Sequence, residues 1–170
     1  VNTIVPIASA SKWLSASVIL SLADQGRISL DNPVSKYLKN WRGTRGKITI
    51  RQLLSHTSGL PGLTDPQPPC VMDTSTTLAA CVDQIAAVPL VAMPGTQFRY
   101  GNVSFHVAGR VAEVVSGKSW NTLFQERIRG PLGMTMTGYG MIQNPRPSGS
   151  ALSRLRDYGN LLQMQLDDGM

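Results

Sequence analysis

The chain has 170 residues, of which 42% are hydrophobic and 15% are charged, and its formal net charge is +6. This composition is typical of one globular unit with enough apolar side chains for a core, and it excludes a disordered chain. No apolar stretch reaches the roughly 18–20 residues that a membrane span requires, and the start lacks the pattern of a signal peptide. Because the lysines and arginines are scattered and form no continuous run, the positive charge does not favour a nucleic-acid-binding protein.

A hydroxyl and an amine lie three residues apart at the start of the first predicted helix. Trp13, Leu14 and the apolar residues that follow recur at helical spacing, and the pattern ends at Gly26. Positions i and i+3 on a helix have Cβ atoms about 5–6 Å apart, so the amine of Lys12 can reach the hydroxyl of Ser9. Serine needs a base beside it, and a helix N-terminus in apolar surroundings lowers the pKa of a lysine. The spacing therefore predicts that Ser9 attacks a substrate and that Lys12 takes its proton.

The same residues have a purely structural interpretation. Serine is common at helix N-termini, and an isolated S-x-x-K pattern occurs by chance in many chains of this length. On this interpretation Ser9 starts a helix and Lys12 is solvated.

The segment over residues 27–40, after this helix, is predicted to be scaffold and contains a short helix over residues 33–38. It is followed by a basic turn over 41–46, a short strand over 47–50 and a helix over 51–55. Thr49 and Gln52 have the spacing of a capping box, which starts the last of these elements.

His56 follows that helix and suggests an alternative site. A Ser9–His56 pair would make a hydrolase in which histidine is the base, but a histidine beside a helix end more often holds loop backbone through hydrogen bonds. The proline-rich segment over residues 63–74 is predicted to be an irregular loop of the kind that borders binding sites.

Cys70 and Cys81 flank a short polar stretch that allows them to meet. In an exported protein they would form a disulfide, and in the cytosol they would be two buried thiols. Both alternatives stay open, because Cys81 also falls on the apolar face of a helix predicted over residues 75–88.

A second pair of candidate side chains lies at a predicted corner between an extended run over residues 96–100 and a helix that starts at Asn102 and stops at Gly117. Such a corner holds the phenol of Tyr100 and the amide of Asn102 on nearly rigid backbone, as a preorganised site requires. The alternative is that Tyr100 packs and that Asn102 only caps the helix.

Two further helices are predicted, over residues 119–128 and 153–166. The last one places four apolar side chains on one face, which is predicted to pack on the core: Leu155, Tyr158, Leu162 and Leu166. It also contains a second Tyr-x-Asn triplet, Tyr158-Gly159-Asn160, which we interpret as chance because Tyr158 falls on that face.

Three of these features occur in a characteristic order: Ser9-Ala10-Ser11-Lys12, then Leu53-Leu54-Ser55-His56-Thr57-Ser58-Gly59-Leu60-Pro61, then Tyr100-Gly101-Asn102. Their order and spacing resemble the serine β-lactamase and penicillin-binding family, in the branch with Tyr-x-Asn that holds class C β-lactamases, DD-peptidases and the related family VIII carboxylesterases. The segments 130–135 and 161–168 also look like that branch, so the resemblance covers nearly the whole chain.

The resemblance implies a role for each candidate residue. Ser9 would be acylated, Lys12 would be its base, and Tyr100 would shuttle protons to the leaving group and to the deacylating water. Asn102 would bind Lys12 and the amide of the substrate, and the backbone N–H of Ser9 would be one oxyanion donor. No metal and no cofactor is implied.

The chain also departs from the family pattern. The third motif, a Lys-Thr-Gly or His-x-Gly triplet on a strand that also supplies the second oxyanion N–H, is not found before Met170. The expected fold is therefore α+β of the β-lactamase/transpeptidase-like type, with this chain mainly the helical region plus a few short strands and the central antiparallel sheet largely missing. Residues 1–170 are accordingly expected to form a partial β-lactamase-related domain.

The leading prediction is a serine hydrolase that forms an acyl-enzyme on a β-lactam, a carboxylic ester or a D-alanyl peptide. The alternative is a non-catalytic module of the same fold that binds peptidoglycan-like ligands or a partner. The expected partner is a small-molecule or peptide substrate with an acyl group, with no nucleic acid and no membrane span, and the sequence indicates no oligomeric state. An extracytoplasmic location, periplasmic or secreted, is expected, with the cytoplasm as the alternative.

Overall fold

A computed structural model describes residues 2–169. Within that range the chain folds into helices of very unequal length and one small antiparallel sheet. The helices and strands are, in chain order, β1 (Val5–Pro6), α1 (Ser11–Asp24), α2 (Gly43–Gly46), α3 (Ile50–Leu54), α4 (Leu78–Ile85), α5 (Val103–Ser116), α6 (Trp120–Phe124), β2 (Leu152–Ser153) and α7 (Leu155–Leu166). Single 3-10 turns cover Ala8–Ala10, Val34–Lys36 and Pro69–Val71, and a π-helical turn over Gln125–Arg129 continues α6.

Helix α5 is the central element, because it packs against α1, α3, α4 and α6. Val103, Val107 and Val111 on its inner face are completely buried. Full burial of such a side chain contributes about 1.5–3 kcal/mol, so this face anchors the core. The helix ends at Gly117, whose φ of 69° is left-handed and suits a residue without a Cβ atom.

The sheet brings the two ends of the described chain together. Strands β1 and β2 are antiparallel, with Val5 opposite Ser153 and Pro6 opposite Leu152. The pairing continues one residue further, where the N–H of Ile7 donates to the carbonyl of Ala151 at 3.0 Å. As a result, the backbone just before β2 lies beside the start of α1.

Several local predictions are confirmed. Helix α1 covers the predicted apolar run, and Thr49 and Gln52 form both hydrogen bonds of a capping box at the start of α3. Of the two alternatives left open for Cys70 and Cys81, the structure has the disulfide, which ties the Pro69–Val71 turn to α4.

Other predictions about the middle of the chain are wrong. The expected strand over residues 47–50 reduces to an isolated bridge between Pro33 and Thr49, because Ile50 already begins α3. The short helix over 33–38 is a 3-10 turn, and the basic turn contains the helical turn α2. The extended run over 96–100 forms no strand within the described residues. Its backbone instead makes isolated hydrogen bonds with neighbouring loops.

The predicted core face of α7 is wrong for three of its four residues, and only Tyr158 packs against the core. Leu155 is 73% exposed and Leu166 is 78% exposed, whereas Asp157 and Leu161 are buried. The carboxylate of Asp157 accepts from the backbone N–H of Met136 at 2.7 Å, and this bond turns the polar side of the helix inward. Trp13 of α1 is likewise half exposed, although it belongs to the apolar periodic run.

Among residues 2–169, no helix combines the length and the apolar character needed to cross a bilayer.

Candidate active site

Ser9 lies in the 3-10 turn that precedes α1, where its side chain is exposed. The residue before it, Ala8, has a φ of 43°, which is the left-handed region that residues with a Cβ atom rarely adopt. Strained backbone of this kind is concentrated at functional sites. Ser9 is therefore presented to solvent by a backbone that the surrounding structure holds in place, and no feature of the sequence signals this strain.

Lys12 is the residue that connects Ser9 to the rest of the molecule. It lies in the first turn of α1, and only 7% of it is exposed. Its Nζ atom is 3.1 Å from Ser9 Oγ, 3.2 Å from Asn102 Oδ1 and 2.8 Å from the carbonyl oxygen of Ser148. The i and i+3 contact predicted from the sequence is present in the structure.

The three partners of Lys12 differ in what they can do chemically. The Asn102 oxygen and the Ser148 carbonyl can only accept hydrogen bonds, whereas a serine hydroxyl can also donate. When the amine of Lys12 is neutral, its two N–H groups are taken by the two obligate acceptors. The lone pair is then left for the neighbouring hydroxyls of Ser9 and Tyr100, as a general base requires.

The environment of Lys12 favours this neutral form. Burial lowers the pKa of Lys12, and the phenol of Tyr100 acts in the opposite direction. The N-terminus of α1 contributes a positive dipole, which also disfavours a proton on the amine. Lys12 is therefore closer to a working base than an ordinary surface lysine.

Tyr100 lies on the other side of the amine. The centroid of its ring is 4.9 Å from Lys12 Nζ, and the ring of Phe105 is 5.8 Å from the same atom. Interaction with the Ser9 hydroxyl lowers the pKa of Tyr100, with a further contribution from the charge of Lys12, while burial opposes both. The structure thus brings together Ser9, Lys12, Tyr100 and Asn102, the four residues predicted from the sequence.

The side chain of Asn102 binds Lys12 and does not cap α5. The residue occupies the N-cap position, but its side chain makes no capping hydrogen bond and instead accepts from Lys12. The interpretation of Asn102 as a simple cap is therefore wrong.

The Tyr100–Asn102 segment is fixed by close packing of backbone on backbone. A Cβ atom at Gly101 would lie 2.8 Å from the Cα atom of Gly62, so a larger residue does not fit between Tyr100 and Asn102. The N–H of Leu63 donates to the carbonyl of Tyr100 at 2.8 Å. Rigid support of this kind keeps the phenol and the amide in register with Lys12.

We expected the side chain of His56 to hold loop backbone through hydrogen bonds, but it does not do so within the described residues. Its ring is buried and packs against Tyr100 and Phe105, with centroid separations of 4.7 and 5.4 Å, and its Nδ1 atom has no hydrogen-bond partner within the described residues. Burial and then the charge of Lys12 lower the pKa of His56 to about 4. The ring therefore stays neutral near pH 7 and supports the Tyr100 ring.

The sequence did not reveal the groups that hold the backbone on either side of Ser148. Ser15 donates to the carbonyl of Pro147 at 2.6 Å, and Ser11 accepts from the N–H of Ala151 at 3.1 Å. Both hydroxyls belong to α1, the helix that carries Lys12. The regular spacing of Ser11 and Ser15 on the buried face of that helix is the signal that could have identified them.

An open cavity of about 680 Å³ flanks Tyr100, between the backbone of residues 62–64 and 97–99. The exposed side chains of Leu63 and Phe98 make part of its wall apolar. Its size is in the range of small-molecule sites in proteins.

These features define a serine and lysine site on a mainly helical fold. The model of the Beta-lactamase family matches residues 1–169. The chain belongs to this family, and its fold is of the β-lactamase/transpeptidase-like type.

Individual relatives agree with this assignment. The chain is 33% identical over 148 residues to the D-alanyl-D-alanine-carboxypeptidase/endopeptidase AmpH of Escherichia coli K12. This alignment covers 81% of this chain and 37% of AmpH. It is 32% identical over 133 residues to penicillin-binding protein 4 of Amycolatopsis lactamdurans, which covers 74% of this chain and 33% of that protein. A solved structure of a protein described as a β-lactamase from Bacteroides dorei superimposes with a TM-score of 0.88 at 40% identity, over 99% of this chain and 51% of that one. The chain thus spans about a third of these curated relatives and about half of that structure.

Proposed function

We propose that the protein is a serine acyl-transfer hydrolase that forms an acyl-enzyme at Ser9. The observation that carries this proposal is the contact of 3.1 Å between Ser9 Oγ and Lys12 Nζ, made while Asn102 and Ser148 accept the other hydrogen bonds of the amine. A buried amine held in this way can remove the proton of a serine without a metal or a cofactor.

The proposed reaction has two steps. In the first, Ser9 Oγ attacks the carbonyl carbon of the substrate and its proton moves to Lys12. The C–N or C–O bond then breaks as this proton passes from Lys12 through Tyr100 to the leaving nitrogen or oxygen, which stays tethered to the acyl group when the substrate is a β-lactam. In the second, water attacks the acyl-enzyme, its proton returns through Tyr100, and Ser9 is regenerated with release of a carboxylic acid. A phenol with a lowered pKa beside the amine suits this exchange of protons. The backbone N–H of Ser9 is proposed as one oxyanion donor.

The substrates proposed are D-alanyl peptides, β-lactams and carboxylic esters. The names of AmpH and penicillin-binding protein 4 support the peptide first. All three classes present an acyl carbonyl with a leaving group. The cavity lined by residues 62–64 and 97–100 touches this site only through Tyr100, and we propose it for the part of the substrate away from the carbonyl.

Two broader proposals accompany this one. An extracytoplasmic location is supported by the Cys70–Cys81 disulfide, since such bonds persist in oxidising compartments. That residues 1–170 are part of a larger β-lactamase-related domain stays a prediction, which the full reading frame tests.

The proposal is tested by mass spectrometry of the chain after exposure to a penicillin or to a fluorophosphonate. We expect one adduct, on Ser9, and a fall of about 10²–10⁴ in its rate of formation in Lys12→Ala. Lys118→Ala is the matched control, because Lys118 is an exposed lysine paired with Glu126. An adduct on another residue, or an unchanged rate in Lys12→Ala, contradicts the proposal. Saturable ligand binding without any adduct would instead support a non-catalytic binding module.

A further inference from the structure

The net positive charge of the protein comes from one short segment. Six of the sixteen lysines and arginines lie between Lys36 and Arg51, and no acidic residue occurs from Asn32 to Thr64. The other ten basic residues are matched by the ten acidic residues of the chain. The whole charge of +6 is therefore the charge of this segment. The basic residues are therefore less evenly scattered along the chain than we expected.

The segment leaves the rest of the fold and returns to it at nearly the same point, because its two ends are paired. Pro33 and Thr49 form a bridge at its base, and the N–H of Val34 donates to the carbonyl of Ile48 at 2.7 Å. We call residues 33–49 the basic excursion. Its large aliphatic side chains and its tryptophan are buried, and they are Val34, Leu38, Trp41 and Ile48, whereas Tyr37 is half-buried.

The cations of the basic excursion lie on its solvent side. They are Lys36, Lys39, Arg42, Arg45 and Lys47, of which Arg45 is half-buried and the others are exposed. Within the described residues none of the five forms an ion pair, whereas Arg51, just beyond the excursion, pairs with Asp31 at 2.7 Å. Asp83 of α4 approaches the excursion at 3.4 Å, through the amide of Asn40.

We infer that the basic excursion is a docking surface for an anionic phospholipid bilayer. Clusters of four to eight lysines and arginines bind anionic lipid head groups through charge, with about 1 kcal/mol, or about fivefold in affinity, from each cation near the surface. No large hydrophobic side chain of the excursion is exposed, so the contact is with head groups and not with the acyl chains.

The aromatic residues of the excursion favour lipid over nucleic acid. Proteins that hold single-stranded nucleic acid stack its bases on accessible rings. Trp41 is 1% exposed, and the hydroxyl of Tyr37 is engaged by the Asn32 amide at 3.0 Å. With Trp41 buried and Tyr37 half-buried, the excursion offers charge without a fully exposed ring for stacking.

The experiment measures sedimentation of the chain with vesicles of phosphatidylcholine alone and with vesicles that contain about one-third phosphatidylglycerol. Two double variants of equal net charge are compared. Lys39→Gln with Arg42→Gln removes two cations of the excursion, and Arg27→Gln with Arg156→Gln removes two exposed cations elsewhere. Vesicle binding is scored without turnover, so its result is independent of the acyl-enzyme experiment.

We expect binding to the anionic vesicles only, with loss in about 1 M salt because the screening length falls to about 3 Å. The excursion variant should bind about 25-fold more weakly, and the control variant should bind like the parent. Equal loss in both variants would show that net charge alone is responsible and overturns the proposal. Absence of vesicle binding also overturns it, as does binding to a DNA duplex without binding to vesicles.

Discussion

The hydroxyl of Tyr139 lies 2.8 Å from the hydroxyl of Ser15, completely inside the protein. Because the proton of Ser15 is committed to the Pro147 carbonyl, Tyr139 is the donor in this pair. A continuous chain of hydrogen bonds thus runs from Tyr139 through α1 to the residue beside Ser148, whose carbonyl accepts from Lys12. Burial raises the pKa of Tyr139, so the phenol keeps its proton at every working pH.

Tyr139→Phe is expected to lower the free energy of unfolding by about 1–3 kcal/mol, because it breaks a buried hydrogen bond. Urea denaturation measures the change. Tyr158→Phe is the control, since that hydroxyl donates to the Ala10 carbonyl at an exposed position and its loss should matter less. Equal destabilisation by the two substitutions would show that the buried chain of hydrogen bonds contributes no more to stability than the exposed hydrogen bond of Tyr158.

Tyr100→Phe is expected to move the acid limb of the acylation pH profile to lower pH. Tyr100 raises the pKa of Lys12, so its removal lowers that pKa and leaves the amine neutral in more acidic solution. The maximal rate should fall by about 10²–10⁴, because the proton shuttle is lost. Stopped-flow acylation across pH provides the profile, and Tyr37→Phe is the control. A limb that moves to higher pH would refute the coupling.

Asn102→Asp is expected to move the same limb in the opposite direction. A carboxylate in place of an amide oxygen that lies 3.2 Å from Lys12 Nζ stabilises the ammonium form and raises the pKa of Lys12. More alkaline solution is then needed to obtain the neutral amine. Asn160→Asp, in the second Tyr-x-Asn triplet, is the matched control and should leave the profile unchanged. An unchanged acid limb of the pH profile in Asn102→Asp would show that Asn102 does not influence the pKa of Lys12.

His56→Phe is expected to keep acylation within about tenfold of the parent rate, because the substitution retains an aromatic ring against Tyr100 while it replaces both titratable nitrogen atoms with carbon. The rate of labelling at Ser9 measures the effect, with His56→Ala as the comparison that also removes the ring. If histidine were the base of a Ser9–His56 hydrolase, both variants would lose activity by about 10²–10⁴.

The double variant Cys70→Ser with Cys81→Ser is expected to lose about 2–4 kcal/mol of stability, since the disulfide closes a loop with a sequence separation of 11. Calorimetry of the variant and of the parent with and without reductant measures this. Acylation at Ser9 should be retained at a temperature where the variant is folded. A stability unaffected by both treatments would contradict a stabilising disulfide.

Local signals predicted the elements that depend on nearby residues. The capping box at Thr49 and the glycine end of α5 were correct because each involves groups within one helical turn. The face of α7 was wrong because apolar spacing does not say what a helix packs against, and Asp157 found backbone and arginine partners inside. The strand over residues 47–50 failed for a different reason, since the capping box at Thr49 starts α3 at Ile50 and leaves a single bridge to Pro33.

By itself the sequence determined that a hydroxyl and an amine would meet, because a separation of three residues along a helix places them side by side. Only the tertiary structure decided what that amine would face. Asn102 is 90 residues from Lys12 and Ser148 is 136 residues away, so their oxygen atoms reach Nζ only after α5 packs on α1 and the residues before β2 settle beside them. The orientation and the pKa of Lys12 depend on burial and on these distant acceptors, which are properties of packing and not of neighbouring residues.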